Sequence, residues 1–173
     1  MKHQQIIIIN GNGGVGKDTF IRVLSSVFRD VDIWSYSTID KVKEIAKMIG
    51  WDGVKDEKGR KLLADLKSLC DSYNDMTFKD MKQAVSEFKN SYGTLLFIHI
   101  REPHNIDRAK NEFDAITMLV TRDSVENITY NDADKHVAEY DYDYVVNNNG
   151  NLVQLELEAK KFLQYINNIM RNS

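Results

Sequence analysis

Gly11-Asn12-Gly13-Gly14-Val15-Gly16-Lys17-Asp18-Thr19 sets four glycines and an ammonium directly after an apolar run, Ile6 to Ile9. Gly11, four residues, then Gly16-Lys17 is the G-x-x-x-x-G-K spacing of a phosphate-binding loop. The chemistry is anion capture. Glycines let the backbone curl so that successive N–H groups converge, and a helix opening at the end of the loop adds its N-terminal partial positive charge. Lys17 supplies a point charge with the reach of the β- and γ-phosphates of a nucleotide. The same residues match G-x-G-x-x-G, but that dinucleotide pattern has no use for the lysine, and the match follows from the abundance of glycine.

Asp18 stands where a magnesium-ligating hydroxyl usually follows the lysine. Two roles are open to it: holding a magnesium-bound water, or occupying a helix's first turn, where the dipole favours a carboxylate. Thr19 is open in the same way, with its hydroxyl near an α-phosphate or capping the helix.

Phosphoryl transfer needs charge neutralised on donor and acceptor alike, and arginine grips phosphate oxygens with a planar fork. Arg101 follows "LLFIHI" directly, Arg122 follows "TMLVT", and Arg60 lies in the charged stretch "KDEKGRK". His99 falls where nucleotide hydrolases commonly carry a magnesium-binding aspartate. It reads as a core histidine bonded to backbone, with a catalytic role as the alternative.

These residues must be held by regular elements, and the periodicity supplies them. Gln5 to Asn10 is a continuous apolar run, as in a central parallel strand covered on both faces. Phe20, Val23, Leu24, Val27 and Phe28 recur at helical spacing. "VDIWSYS" reads as a second strand. Val42, Ile45, Ala46 and Ile49 make a helical stripe ended by Gly50. Two further stripes follow: Leu62, Leu63, Leu66, Leu69, Cys70 and Tyr73, then Phe78, Met81, Val85 and Phe88. Thr94 to Ile100, Ala115 to Thr121 and Asp143 to Asn147 read as strands. A short helix spans Asn105 to Phe113, and Leu152, Leu155, Ala159, Phe162, Ile166 and Ile169 form a closing one. Tyr140, Tyr142 and Tyr144 alternate as half-buried packing. Strands alternating with helices imply an α/β fold with a parallel sheet, whose ligand lies beyond the carboxyl ends of the strands.

The 173 residues fit one domain, 42% hydrophobic and 28% charged. A net charge of −3 gives no general attraction to nucleic acid or to an anionic membrane. The apolar stretch near the N-terminus is too short for a signal peptide core or a membrane span. Cys70 is the lone cysteine and reads as a buried thiol in a reducing cytosol, so the expected location is cytoplasmic.

In sequence order the motifs resemble the P-loop kinases of small molecules: deoxynucleoside monophosphate kinases, dephospho-coenzyme A kinases and phosphomevalonate kinases. "GNGGVGKDT" is similar to their G-x-x-x-x-G-K-D-T loop. "IDKVKEIAKMIG" is similar to their A-D-P-L-K-E segment and matches it at Asp40, Lys43 and Glu44. "GRKLLADL" resembles the arginine-led helix that follows, and "IHIREPHN" resembles D-V-R-x-P-N-E at Arg101 and Pro103, with His99 replacing the aspartate. "LVTRD" and "KHVAEYDYDYVVNNNGNLVQL" resemble the closing motifs.

The resemblance implies a three-layer nucleoside-monophosphate-kinase-like fold with five parallel strands in the order 2-3-1-4-5. It implies an acceptor-binding helical insert near 38–92, a short lid near 122–139, and an adenine site near the turn holding Asn148 and Gly150. The activity so implied is transfer from ATP with magnesium to a small phosphorylated acceptor, most simply a nucleoside or deoxynucleoside monophosphate. Gly11 to Thr19 would bind ATP, and Asp18, through water, and Thr19 the metal. Lys17, Arg101 and Arg122 would be catalytic, and Asp40, Lys43, Arg60 and Arg101 would serve the acceptor. Dephospho-coenzyme A or phosphomevalonate is the alternative acceptor, with Asp40 as a general base for a hydroxyl. A nucleotide-binding regulatory module without transfer is the reading from another class. Neither acceptor nor oligomeric state is specified by the sequence.

Overall fold

The isoleucines of β1 (Gln5–Asn10) stand in the middle of a five-stranded sheet. The other strands are β2 (Ile33–Ser37), β3 (Leu95–His99), β4 (Ile116–Thr121) and β5 (Tyr144–Asn147). Their order is β2-β3-β1-β4-β5, the order expected. The pairings of β1 with β3, β1 with β4 and β4 with β5 are parallel, with Ile7 opposite Phe97 and Ile116, and Val120 opposite Val146. The computed structural model describes residues 4–125, 137 and 139–172. The expected lid falls largely on 126–136 and 138, outside the described residues.

The chain divides into two compact units, Tyr36–Ser91 and the remainder. In the larger unit, α1 (Lys17–Val27) and α6 (Leu152–Asn172) cover one face of the sheet. Ile7 and Ile9 of β1, Phe97 and Met118 pack there with Phe20 and Leu24 of α1 and Ala159, Phe162 and Ile166 of α6. Phe162 centres this layer, its ring 5.8 Å from that of Phe20 and 5.2 Å from that of Tyr144. The alternate residues Ile6 and Ile8 are equally buried, and α5 (Pro103–Phe113) packs against β1 and β4. Coverage on both faces is why β1 carries an unbroken apolar run rather than an alternation. Pro103 opens α5 two residues earlier than the periodicity marks it, because its fixed φ suits a first helical turn.

The smaller unit contains α2 (Asp40–Met48), α3 (Glu57–Asn74) and α4 (Met76–Lys89). Val42, Ala46 and Leu63 form its small core, flanked by Trp51, Leu62 and Leu66. Gly50, at φ +97°, closes α2: its N–H reaches the Lys47 carbonyl while Trp51 N–H reaches that of Ala46, the two bonds of a Schellman motif. Phe78, Met81, Val85 and Phe88 of α4 are buried as expected. The stripe on α3 is narrower than the apolar pattern implied. Gly59, Leu63, Leu66 and Cys70 follow one line of the helix, and only Gly59 and Leu63 are fully buried. Leu69 and Tyr73 lie off that line and are 65% and 86% exposed. Cys70 is half-buried rather than buried. Ile49 is exposed because it is the C-cap residue and has left the helix. Among the described residues no helix is long and apolar enough to cross a membrane.

Candidate phosphate-binding site

The loop between β1 and α1 is shaped by close approaches that only glycine permits. Gly11 has φ +143°, and a Cβ there would run into the Val120 carbonyl of β4; Gly16 has φ +96°, and a Cβ there would run into the Asn148 side-chain amide. Gly16 is the N-cap residue of α1, so the helix opens at Lys17 with no side-chain cap. Val15 is buried and anchors the loop in the core. Gly14, Gly16, Lys17, Asp18 and Thr19 line an open cleft of about 260 Å³. The Lys17 Nζ donates to the carbonyls of Gly11, at 2.5 Å, and Asn12, at 3.0 Å.

Two buried asparagines hold the ends of this loop. Asn10 Oδ1 accepts from Gly11 N–H at 2.8 Å, and its Nδ2 donates to the Tyr142 hydroxyl at 2.8 Å and the Arg101 carbonyl at 3.3 Å. Asn148 Nδ2 donates to the Val15 carbonyl at 2.7 Å, and its main-chain N–H to the Thr121 carbonyl at 2.8 Å. Burial of Tyr142 pushes its phenol up to about 12, partly offset by the Asn10 hydrogen bond, so it is a neutral donor and acceptor near neutral pH. Neither asparagine's part in shaping the loop follows from the motif. The available signal was polarity out of place, a single asparagine ending the isoleucine run and three in a row from the last residue of β5.

Asp18 lies in the first turn of α1, its side chain 88% exposed, with Oδ1 3.9 Å from His99 Nε2. Thr19 is inside the helix, where its hydroxyl accepts from Arg22 at 3.3 Å, so the capping role considered for it does not hold. His99 ends β3 with Nε2 3.2 Å from the Ser35 hydroxyl. It is half-buried, with the side chains of Ser35 and Asp18 beside it. Among the described residues, no three His, Cys, Asp or Glu side chains gather as a metal site. Magnesium on a nucleotide commonly takes one or two carboxylates, with phosphate oxygens and water completing its shell. An exposed Asp18 at the lip of a glycine cradle fits that donor set.

Arg101 is half-buried just beyond β3, and Arg122 is exposed just beyond β4. Asn149 pairs with Asp123 through both its amide atoms at 2.6 Å, tying the start of α6 to the segment after β4. Gly150 is exposed, next to a reciprocal cap in which Asn151 N–H reaches Gln154 Oε1 and Gln154 N–H reaches Asn151 Oδ1. The remaining candidates belong to the smaller unit. Lys43 Nζ sits 2.6 Å from Asp40 Oδ1 on α2. Arg60 is exposed on α3, with Nε donating to the Lys55 carbonyl at 2.9 Å.

A glycine loop running from the central strand into α1, under a sheet ordered β2-β3-β1-β4-β5, settles the architecture. The chain has the P-loop nucleoside-monophosphate-kinase-like fold. No protein-family model and no curated protein matches it. Among solved structures, TT1252 from Thermus thermophilus aligns over 95% of this chain and 98% of its own, at 17% identity and a TM-score of 0.55. Thymidylate kinase from Ehrlichia chaffeensis aligns over 94% of this chain and 99% of its own, at 12% identity and a TM-score of 0.49. Shikimate kinase from Aquifex aeolicus aligns over 98% and 100%, at 14% and 0.47. At 17% identity the likeness to TT1252 speaks to the fold and not to the substrate.

Proposed function

We propose that this protein is an ATP-dependent phosphotransferase whose acceptor is a nucleoside or deoxynucleoside monophosphate. The observation that supports it is the glycine cradle at the head of α1, with Lys17 on its rim and two glycines where a Cβ has no room. ATP with magnesium, when bound, would supply the transferable γ-phosphoryl group and positive charge to offset that of the phosphates. The loop from Gly11 to Thr19 holds the phosphates through main-chain N–H groups and the α1 dipole, and Lys17 exchanges its loop carbonyls for phosphate oxygens. Asp18, through water, and Thr19 would hold the metal. Arg101 and Arg122, beyond the ends of the two strands that flank β1, bring cationic forks to the transferring group. Asp40, Lys43 and Arg60 serve the acceptor, and the turn through Asn148 and Gly150 borders the adenine. An acceptor phosphate is already anionic, so positioning and charge neutralisation do the work and no base is required.

An acceptor hydroxyl, as in dephospho-coenzyme A, would need a base, and Asp40 carries its carboxylate against the Lys43 ammonium. A second reading is a nucleotide-binding module without transfer, favoured by His99 where a metal-binding aspartate is expected. The test is ADP release from ATP and magnesium across the nucleoside monophosphates, dephospho-coenzyme A and phosphomevalonate. Turnover with a monophosphate supports the proposal, and turnover with one of the other two replaces the acceptor. ATP binding with no turnover on any acceptor selects the binding module.

A further inference from the structure

Asn10 and Asn148 are 1% and 7% exposed, two of the few polar side chains buried among the described residues. A buried amide is costly unless each polar atom finds a partner, so it fixes the position of whatever satisfies it. Asn148 Nδ2 donates to the Val15 carbonyl, and the contact is enforced from the other side, because Gly16 packs so closely on the same amide that no side chain fits between. The Val15 carbonyl and the Gly16 N–H belong to one planar trans peptide and point in opposite directions. Turning that carbonyl to Asn148 therefore turns the Gly16 N–H away from Asn148, and Gly16 lines the cleft. The main chain of Asn148 is bonded in turn to Thr121 at the end of β4, so the sheet itself sets the plane. At the other end Asn10 Oδ1 takes up the Gly11 N–H, which fixes where the curl of donors begins.

We propose that Asn148 is a positioning residue for the phosphate loop: its amide sets the Val15–Gly16 peptide plane and aims the Gly16 N–H at a bound phosphate chain. Its side chain then acts on the loop and not on the nucleotide base. The inference rests on the phosphate-binding reading of that loop. It assigns the polyphosphate affinity of the P-loop partly to a residue far along the chain, after β5.

Three variants of the experiment separate the possibilities: wild type, Asn148→Ala and Asn148→Asp, each titrated calorimetrically with ATP plus magnesium and with inorganic tripolyphosphate plus magnesium. Positioning predicts that both ligands weaken together, by about 10- to 100-fold at pH 7.5, since a buried hydrogen bond to the loop is lost. For Asn148→Asp the ratio to wild type should narrow as pH falls toward 5, because a protonated carboxyl can again donate to the Val15 carbonyl. Asn148→Ala should show no such recovery. A loss confined to ATP would make Asn148 a base contact and overturn the inference, as would unchanged affinity for both ligands. Wild type binding neither ligand would instead remove the phosphate-loop reading, and the inference with it. Thermal melts establish that each variant is folded. Should neither variant fold, the wild-type Asn148 amide protons remain the readout: slow exchange and a shift on adding tripolyphosphate are expected, and rapid exchange with no shift overturns the inference.

Discussion

The Lys17 ammonium donates to the Gly11 carbonyl at 2.5 Å, folding the side chain back over the loop it follows. A phosphate chain entering the cleft competes with that carbonyl, and it wins because the ammonium then faces a full negative charge rather than the dipole of a neutral carbonyl. Lys17→Ala should therefore abolish ADP release while leaving the unfolding transition cooperative. Lys17→Arg should rescue little, since a planar fork does not replace a compact ammonium on a short loop. ADP release and thermal melts check both statements. Full activity in Lys17→Ala would sink the assignment of the loop.

Arg101 sits half-buried immediately beyond β3, and its carbonyl is held by Asn10. Its backbone is thus tied to the start of the loop, at the carboxyl end of β3. If the guanidinium meets a desolvated phosphate, Arg101→Ala should cost about 2 to 5 kcal/mol of transition-state stabilisation. The measurement is kcat/KM against the acceptor that supports turnover. A change within error would return Arg101 to the surface.

The strands and the loop were legible in the sequence because both are governed by local rules. Ile6 to Ile9 read as a strand covered on both faces, and the lysine after the glycines singled out the phosphate loop from the dinucleotide pattern. Exposure on α3 was not legible, since Leu69 and Tyr73 carry the same apolar label as Leu63. Which line of a helix is covered depends on how much surface its partners present. The part of Asn148 was hidden for a different reason. It acts across 133 positions of chain, on Val15, and no spacing rule connects an asparagine after the last strand to a carbonyl after the first. The neighbours of His99 were not legible either, because periodicity shows that a residue ends a strand, and not that Ser35 and Asp18 stand beside it.

Tyr36 donates to Asp80 at 2.6 Å within the smaller unit. Burial raises its phenol first, then the hydrogen bond to Asp80 and the charges of Asp80, Asp40 and Asp71 raise it further. A phenol held neutral in this way stabilises the fold fully below its unfolded value of about 10, and that contribution is lost as pH rises beyond it. Tyr36→Phe should cost about 1 kcal/mol at pH 8. The gap to wild type should shrink toward pH 11. Urea unfolding at the two pH values decides it, and a gap that widens would contradict the argument.

Thr117 is wholly buried in β4 and is held by Asp143 through both its N–H, at 2.8 Å, and its hydroxyl, at 2.9 Å. The Asp143 N–H returns a bond to the same hydroxyl at 3.0 Å, and Lys110 of α5 reaches the carboxylate at 2.8 Å. Partial burial would raise the Asp143 carboxyl, but the Lys110 ammonium and the two Thr117 donors outweigh it and hold the group below its ordinary value. A depressed carboxyl stabilises the fold above its unfolded value, about 3.9, and the contribution is lost as pH falls through the lower, folded value. Asp143→Ala should cost about 1 to 3 kcal/mol at pH 7, chiefly because buried Thr117 loses its partners. Thr117→Val, which keeps the shape and removes the hydroxyl, should cost less. The Lys110 part of the effect is half-exposed and should fade in high salt, whereas the Thr117 part should not. Unfolding of wild type and Asp143→Asn between pH 7 and pH 3, at low and high salt, separates the two. Equal acid sensitivity in both proteins would mean that Asp143 is not the group being titrated.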